Sequence, residues 1–351
     1  MVSVETILKK EHPRLFTYPD LISKAVVGLT RFLVHENSIN HFMQVHENKR
    51  GLDFIDAVLE HLGVSYKVIH REVENIPAIG KVIIVANHPL GALDALSLIQ
   101  MICSVRHNKK VKIVANKMIS SIPQLKEFII GVDNFSDKLS RDSLRKIDTA
   151  LQAEEVVIFF PSGEVSRVGL FGQKEGSWKG GFVRFAKRNA TPIVPIFIKA
   201  KNSSLFYAAS WIYKPLGTLL LGHEIFAARN QIFDFRVGEL INPKVLNDVS
   251  MSERYHAKMF RKHLIRLSKG KKGFYPTESS IAHPVSRQEI RQELKRGERL
   301  GETSDNKQIY LIEYDNARNL INEIGRLREY SFRKVGEGSG NSRDIDEYDR
   351  Y

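Results

Sequence analysis

The chain has 351 residues, 42% hydrophobic and 26% charged, which is enough for one large core with a smaller appendage and excludes a low-complexity chain. Its net charge of +13 calls for an anionic partner class: nucleic acid, an anionic membrane surface or an acidic carrier protein. The single cysteine, Cys103, excludes an internal disulfide and fits a reducing compartment. The opening MVSVETILKKEHPRLF lacks a signal peptide's apolar run, and no stretch reaches about 18 consecutive apolar residues, so a soluble or peripheral protein is expected.

In chain order, residues 20–62 read as helical. Leu21, Ile22, Ala25, Val26, Leu29 and Phe32 keep the 3.6-residue period, and Phe54 to Leu62 resumes it. From Val64 the pattern changes. Short β-rich runs (VSYKVIH, KVIIVAN, KVKIVAN, EVVIFFP, TPIVPIFI, QIFDFRVG) alternate with helical stretches at 92–103, 122–130, 140–153, 178–189 and 252–268. That alternation predicts an α/β fold: a mixed, mostly parallel sheet flanked by helices, with an N-terminal helical segment.

The densest basic stretch, KMFRKHLIRLSKGKKG at 258–273, holds seven Lys or Arg and no acid. Met259, Phe260, His263, Leu264 and Leu267 share one helical face, and Ser250 and Glu253 have capping-box spacing. The helix reads either as an ordinary surface helix or as a basic amphipathic helix lying on anionic headgroups. Residues 205–226, with Trp211, Tyr213 and Lys214 in mid-run, read equally as core or as an interfacial anchor. Charge density marks 271–308 as an exposed linker with room for a short helix. IYLIEY and the Ala317–Leu327 period then predict a short C-terminal strand-helix appendage.

Two strand ends carry the chemistry. IIVANHPLGALDAL, residues 83–96, is a buried strand that breaks at Pro89 and Gly91 and restarts as a helix, leaving His88 at the corner and Asp94 beyond it. VVIFFPSGEVSR, residues 156–167, is a second buried strand ending in a polar turn. There Gly163 allows close backbone approach, and Glu164, Ser166 and Arg167 offer an acceptor, a hydroxyl and a fixed cation. In one parallel sheet both ends reach the carboxyl edge, where such folds bind ligands. No GxSxG elbow, Walker loop, HExxH or paired CxxC is present, and the histidines lack metal-ligand spacing. RKVGEGSG, 333–340, fits the R-x-x-G-x-G pattern of a pyrophosphate loop by residue type only, because it follows a helix.

The order NHPLGALD, IGVDNF, FPSGEVSR, VPI resembles the four blocks of the phospholipid/glycerol acyltransferase (lysophospholipid acyltransferase) superfamily. It is most similar to its bacterial hemolysin-like branch of ornithine- and glycine-lipid O-acyltransferases. WKGGFVRFA, the 202–226 run and FRVGELI are further landmarks, and the ending is similar to the start of a GNAT-like N-acyltransferase domain. The expected organisation is an N-terminal helical segment at 1–63, an acyltransferase domain at 64–270, a linker at 271–308, and a partial GNAT-like segment or docking appendage at 309–351.

The resemblance implies a fatty acyl transfer from acyl-ACP or acyl-CoA to a lysolipid hydroxyl, with no metal and no resident cofactor. His88 is then the general base and Asp94 its orienting carboxylate. Asn87, Gly163, Glu164, Ser166 and Arg167 serve substrate binding. Backbone N–H groups at 89–92 or around Gly163 receive the oxyanion. Two departures bear on the acceptor. His88 and Asp94 have five residues between them where the superfamily has four, and FPSGEVSR stands in place of FPEGTRS, with the second block also short of its arginine unless Arg141 or Arg145 replaces it. An amino-acid lysolipid (lyso-ornithine or lyso-glycine lipid) therefore suits the third block better than 1-acylglycerol-3-phosphate, which is the alternative acceptor. A non-catalytic lipid-binding or nucleic-acid-binding protein is the reading from another class, and no nucleic acid is expected. The expected location is cytoplasmic, peripheral on the inner face of the cytoplasmic membrane.

Overall fold

A computed structural model describes residues 3–350 except 12, 107, 118, 120, 121, 133–139, 170, 171, 175, 213–219 and 248–250. Its centre is a seven-stranded sheet ordered β1-β9-β8-β2-β5-β3-β4. These strands are β1 (Ser65–Val68), β2 (Val82–Ala86), β3 (Val111–Asn116), β4 (Ile129–Val132), β5 (Val156–Phe159), β8 (Ile193–Lys199) and β9 (Ile232–Val237). All neighbours run parallel except β8 and β9. VIIVA in β2 and VVIF in β5 are buried at every position, as central strands covered on both faces must be.

The strand period sorts the core into two layers. Val82, Ile84 and Ala86 point to one layer, with α4 (Gly51–Leu62) and α6 (Ala92–Val105). Ile83 and Val85 point to the other, with α7 (Arg141–Gln152), α8 (Gly181–Arg188) and α11 (Glu253–Leu267). The remaining helices before the appendage are α1 (Val4–Glu11), α2 (Asp20–Leu33), α3 (Glu36–Val45), α5 (His70–Val73), α9 (Ser204–Ile212) and α10 (Leu221–Ala227).

Two sequence expectations change, at 122–130 and at 271–308, and two features are added to the reading. Residues 122–130 form a 3-10 turn at 123–125 and then enter β4, because IIGV pairs with β3 and that ladder outweighs a helical apolar spacing. A two-stranded ribbon of β6 (Arg167–Gly169) and β7 (Gly172–Lys174) follows the second polar turn. The periodic stripe of α2 faces outward: Leu21 is 81% exposed and Phe32 75%, while Ser23, Val27 and Thr30 make the buried face. Finally, residues 271–308 are more than a linker. They carry α12 (Arg287–Leu294) and β10 (Glu298–Glu302), and β10 pairs antiparallel with β11 (Gln308–Leu311).

The Glu293 carboxylate of α12 accepts from the N–H groups of Asn319 and Leu320 at the start of α13 (Arg318–Val335), which ties this appendage together. It docks on the loop before β2, where Ser280 Oγ donates to the Asn75 carbonyl and His283 Nε2 lies 2.8 Å from the Ile76 carbonyl. That is the edge of the sheet opposite His88. The RKVGEGSG loop closes around a buried carboxylate: Glu329 accepts from the Ser339 and Gly340 N–H groups and pairs with Arg333. An anionic group already fills the place that a pyrophosphate would take.

On α11 the N-cap is Ser252, whose Oγ accepts from the Tyr255 N–H; Ser250 lies outside the described residues. His263 on this helix is buried, and its Nδ1 accepts from the Phe274 and Tyr275 N–H groups at 3.2 and 3.3 Å. Burial, and then the Arg266 charge, push its pKa from 6.5 down to about 4. A neutral ring is therefore part of the fold, and the unfolded chain binds more protons between those values. The stability it contributes, on the order of 3 kcal/mol, is complete above pH 6.5 and is lost as pH falls through about 4. Chemical denaturation across that window should show a loss in the wild-type chain that shrinks in His263→Gln. Equal losses in both chains would contradict this coupling.

Candidate active site

The two polar corners meet at the carboxyl edge of β2 and β5. His88 and Asp94 are on different elements, because α6 begins only at Ala92 and His88 precedes the turn. The extra residue between them is absorbed by Pro89-Leu90-Gly91. Gly91 adopts φ +85° and ψ −123°, a conformation that favours glycine, and a Cβ there would also meet Val165 Cγ2 at 3.3 Å. The turn carries His88 Nδ1 to 3.2 Å from Asp94 Oδ2.

Asp94 is wholly buried, whereas His88 keeps 18% of its side chain exposed. The same Oδ2 accepts from the Leu90 and Gly91 N–H groups at 2.8 and 3.1 Å, so one carboxylate both closes the turn and orients the ring. Asp94 Oδ1 has no partner among the described residues. Burial raises the Asp94 carboxyl above its ordinary range, and the imidazole and the two N–H groups oppose that shift. A neutral ring that donates from Nδ1 to this carboxylate carries its lone pair on Nε2.

Three further contacts fix the His88 main chain and ring. Phe160 stacks on the imidazole with centroids 3.9 Å apart. Ser166 donates to the His88 carbonyl through its N–H at 2.8 Å and its hydroxyl at 3.2 Å. Asn202, just past β8, donates its amide to the Pro89 carbonyl at 2.7 Å. Asn202 is held in turn by the Tyr207 hydroxyl, and the neighbouring Ser203 by the buried Glu224 carboxylate.

These contacts revise several expected roles. Asn87 is not directed at a substrate: its side chain exchanges two hydrogen bonds with the Ile198 backbone, at 2.8 and 2.7 Å, and so ties β2 to β8. Ser166 holds His88 rather than the acceptor. Of the expected oxyanion donors, the Leu90 and Gly91 N–H groups serve Asp94 and the Gly163 N–H serves the Phe160 carbonyl. Gly163 has φ +67°, and Glu164 lies against Gly176, where a Cβ would meet Glu164 Oε1 at 3.0 Å. Arg167 opens β6, but its side chain, like Asp133, Asn134, Phe135, Tyr213 and Lys214, lies outside the described residues. Arg141 and Arg145 are on α7 and exposed. Asn202, Phe160 and Glu224 were not singled out in the sequence. The signals were their places in the 202–226 run and in FPSGEVSR, and the turn-forming KNSS directly after a buried strand at the same edge.

Among the described residues no group of three or more His, Cys, Asp or Glu could hold a metal ion. What the arrangement offers is a partly exposed imidazole backed by a buried carboxylate, the elements of proton abstraction from a hydroxyl. The acyltransferase family model matches residues 14–270, and the chain belongs to that family, within the lysophospholipid acyltransferase superfamily. It is an enzyme that transfers acyl groups. Over 247 residues it is 29% identical to a lyso-glycine lipid O-acyltransferase of Phocaeicola vulgatus, covering 69% of this chain and 86% of that one. A 70-residue stretch in the C-terminal part is 51% identical to a glycine N(alpha)-acyltransferase of Bacteroides thetaiotaomicron, covering 20% of this chain and 21% of that enzyme. Among solved structures, the 1-acyl-sn-glycerophosphate (LPA) acyltransferase PlsC of Thermotoga maritima matches at 18% identity and TM-score 0.40, over 69% of this chain and 90% of that one.

Two substitutions test the pair. With His88 as the general base, His88→Ala should lower acyl transfer by roughly 10³-fold or more in a chain that still folds, with a lower melting temperature because buried Asp94 loses one of its three partners. Asp94→Asn should lose a similar factor without opening the turn, because an amide oxygen can still accept from Leu90 and Gly91. Near wild-type turnover in a purified His88→Ala sample would remove His88 from the chemistry.

Proposed function

We propose that this enzyme moves a fatty acyl group from a thioester, on acyl carrier protein or CoA, to the hydroxyl of an amino-acid lysolipid at a membrane surface. The observation that carries the reading is the buried Asp94 held against a partly exposed His88 at the carboxyl edge of the sheet. His88 Nε2 takes the acceptor hydroxyl proton as the oxygen attacks the thioester carbonyl. The tetrahedral intermediate then collapses, the C–S bond breaks, and the thiolate leaves with the proton returned by the imidazolium. Asp94 stabilises the charged ring between the two steps.

Three features support the acceptor class and the setting. The FPSGEVSR turn supplies one carboxylate and one guanidinium, a balance suited to a zwitterionic or amide-bearing headgroup rather than a dianionic phosphate. The curated relative with the broad match is named for lyso-glycine lipid; a lyso-ornithine lipid offers the same pairing of carboxylate and hydroxyl. Next to the site, α2 presents Leu21, Ile22, Val26, Leu29 and Phe32 to the outside, and α9 presents Trp211 at 86% exposure. The end of α2 packs through Leu33 on the same cluster as Val165, beside His88. An apolar helix face of this kind lies in a membrane interface, and no helix of the described residues is long and apolar enough to cross a membrane.

Competition decides the acceptor. With an N-acyl-glycine lysolipid and 1-acylglycerol-3-phosphate at equal concentration in mixed micelles, mass spectrometry should show the acylated glycine lipid as the main product. Preferential formation of phosphatidate would assign the enzyme to phospholipid synthesis instead.

A further inference from the structure

We infer that the outward face of α11 docks an acidic acyl carrier protein that presents the acyl thioester; this rests on the acyl-transfer reading above and names its donor. Ala257, Phe260 and Leu264 are buried against the sheet and fix the rotation of the helix. Steps of three and four residues then line up Arg254, Lys258, Arg261, Lys262 and Ile265 on the outer side, with Lys269 in the turn that follows the helix. The helix's only acid, Glu253, is held by the Arg184 guanidinium, and Arg254, Lys258, Lys262 and Lys269 form no ion pair among the described residues.

Three observations select the occupant. On the helix the stripe runs from Arg254 to Ile265, twelve residues or about 18 Å of helix axis, which matches an element of a protein better than one compact phosphate group. It lies in the helical layer opposite α6, whereas α2 runs into His35, whose ring packs on Phe226 in the α6 layer. A membrane that takes α2 leaves α11 for a soluble anionic partner. Ile265, 41% exposed, and Phe274, 48% exposed and stacked under Arg266, give that partner apolar contact among the charges.

The helix is also tethered to the catalytic edge. Glu253 packs so tightly on Gly180 that a Cβ there would meet its backbone at 2.8 Å. The preceding Lys179 donates its N–H to the Pro161 carbonyl, at the base of the FPSGEVSR turn. A carrier lying along α11 therefore has its thioester arm at the edge where His88 stands. Complementary charge of this kind acts mainly on encounter rate.

The test compares wild-type enzyme with the triple variant Arg254→Glu, Lys258→Glu, Lys262→Glu, using palmitoyl-acyl carrier protein and palmitoyl-CoA as donors. The variant should lose at least about tenfold in kcat/KM at low ionic strength with the carrier-bound donor and stay within about twofold with palmitoyl-CoA. Added salt should lower the wild-type rate with the carrier-bound donor. Flotation with anionic vesicles should be unchanged in the variant and impaired in Leu29→Asp, Phe32→Asp. Fluorescence anisotropy of labelled acyl carrier protein reads docking without turnover, so an enzyme that binds the carrier and acylates nothing would contradict the acyl-transfer reading alone. Equal loss with both donors, no loss with the carrier, or lost vesicle or nucleic-acid binding in the triple variant would overturn the docking assignment.

Discussion

A buried carboxylate cannot stand without partners, and the region around Asp94 is arranged to supply them. Its Oδ2 takes two backbone N–H groups and one imidazole nitrogen, and all three come from the four residues His88 to Gly91. The carboxylate therefore sets the path of the turn and the direction of the ring together. Moving either would leave charge unsatisfied in the core, which holds the pair in place without any contribution from a substrate.

Much of the remaining structure keeps that turn from drifting. Asn87 ties its upstream end to β8 through Ile198, Asn202 holds Pro89 from the same strand's exit, and Ser166 holds His88 from the second polar turn. Three segments far apart in sequence thus converge on a few main-chain atoms. Parallel order makes this possible, since β2, β5 and β8 all end at one edge. Preorganisation of this kind lets a general base act without rearrangement.

The sequence and the structure agree where burial is two-sided. β2, β5 and β8 are read directly from continuous apolar runs, and His88 and Asp94 from a strand-to-helix corner within a recognisable order of blocks. Agreement fails where apolar spacing is ambiguous or where the partner is remote. Ile122 to Ile130 has helical spacing but completes a ladder with β3, and the 271–308 stretch gains a strand only through pairing with residues beyond it. The stripe of α2 is visible as periodicity, yet periodicity does not say whether an apolar face meets the core or a lipid surface. Asn87 and Ser166 look like ligand-binding groups because their hydrogen-bond partners, Ile198 and His88, lie 111 and 78 residues away. Asn202 opens the 202–226 landmark run, yet its hydrogen bond to the Pro89 carbonyl, 113 residues away, exists only in the folded chain.

The orientation of His88 by Asp94 is the claim on which the chemistry depends, and the protonation pattern of the ring reports it most directly. Nitrogen-15 chemical shifts of labelled enzyme, with the His88 signals identified by their loss in His88→Gln, distinguish the two neutral tautomers. A ring donating to Asp94 requires a protonated Nδ1 and an unprotonated Nε2, and Asp94→Asn should shift that balance. A neutral His88 protonated on Nε2 in the wild-type enzyme, or a tautomer indifferent to Asp94→Asn, would contradict the assignment of this pair as base and orienting carboxylate.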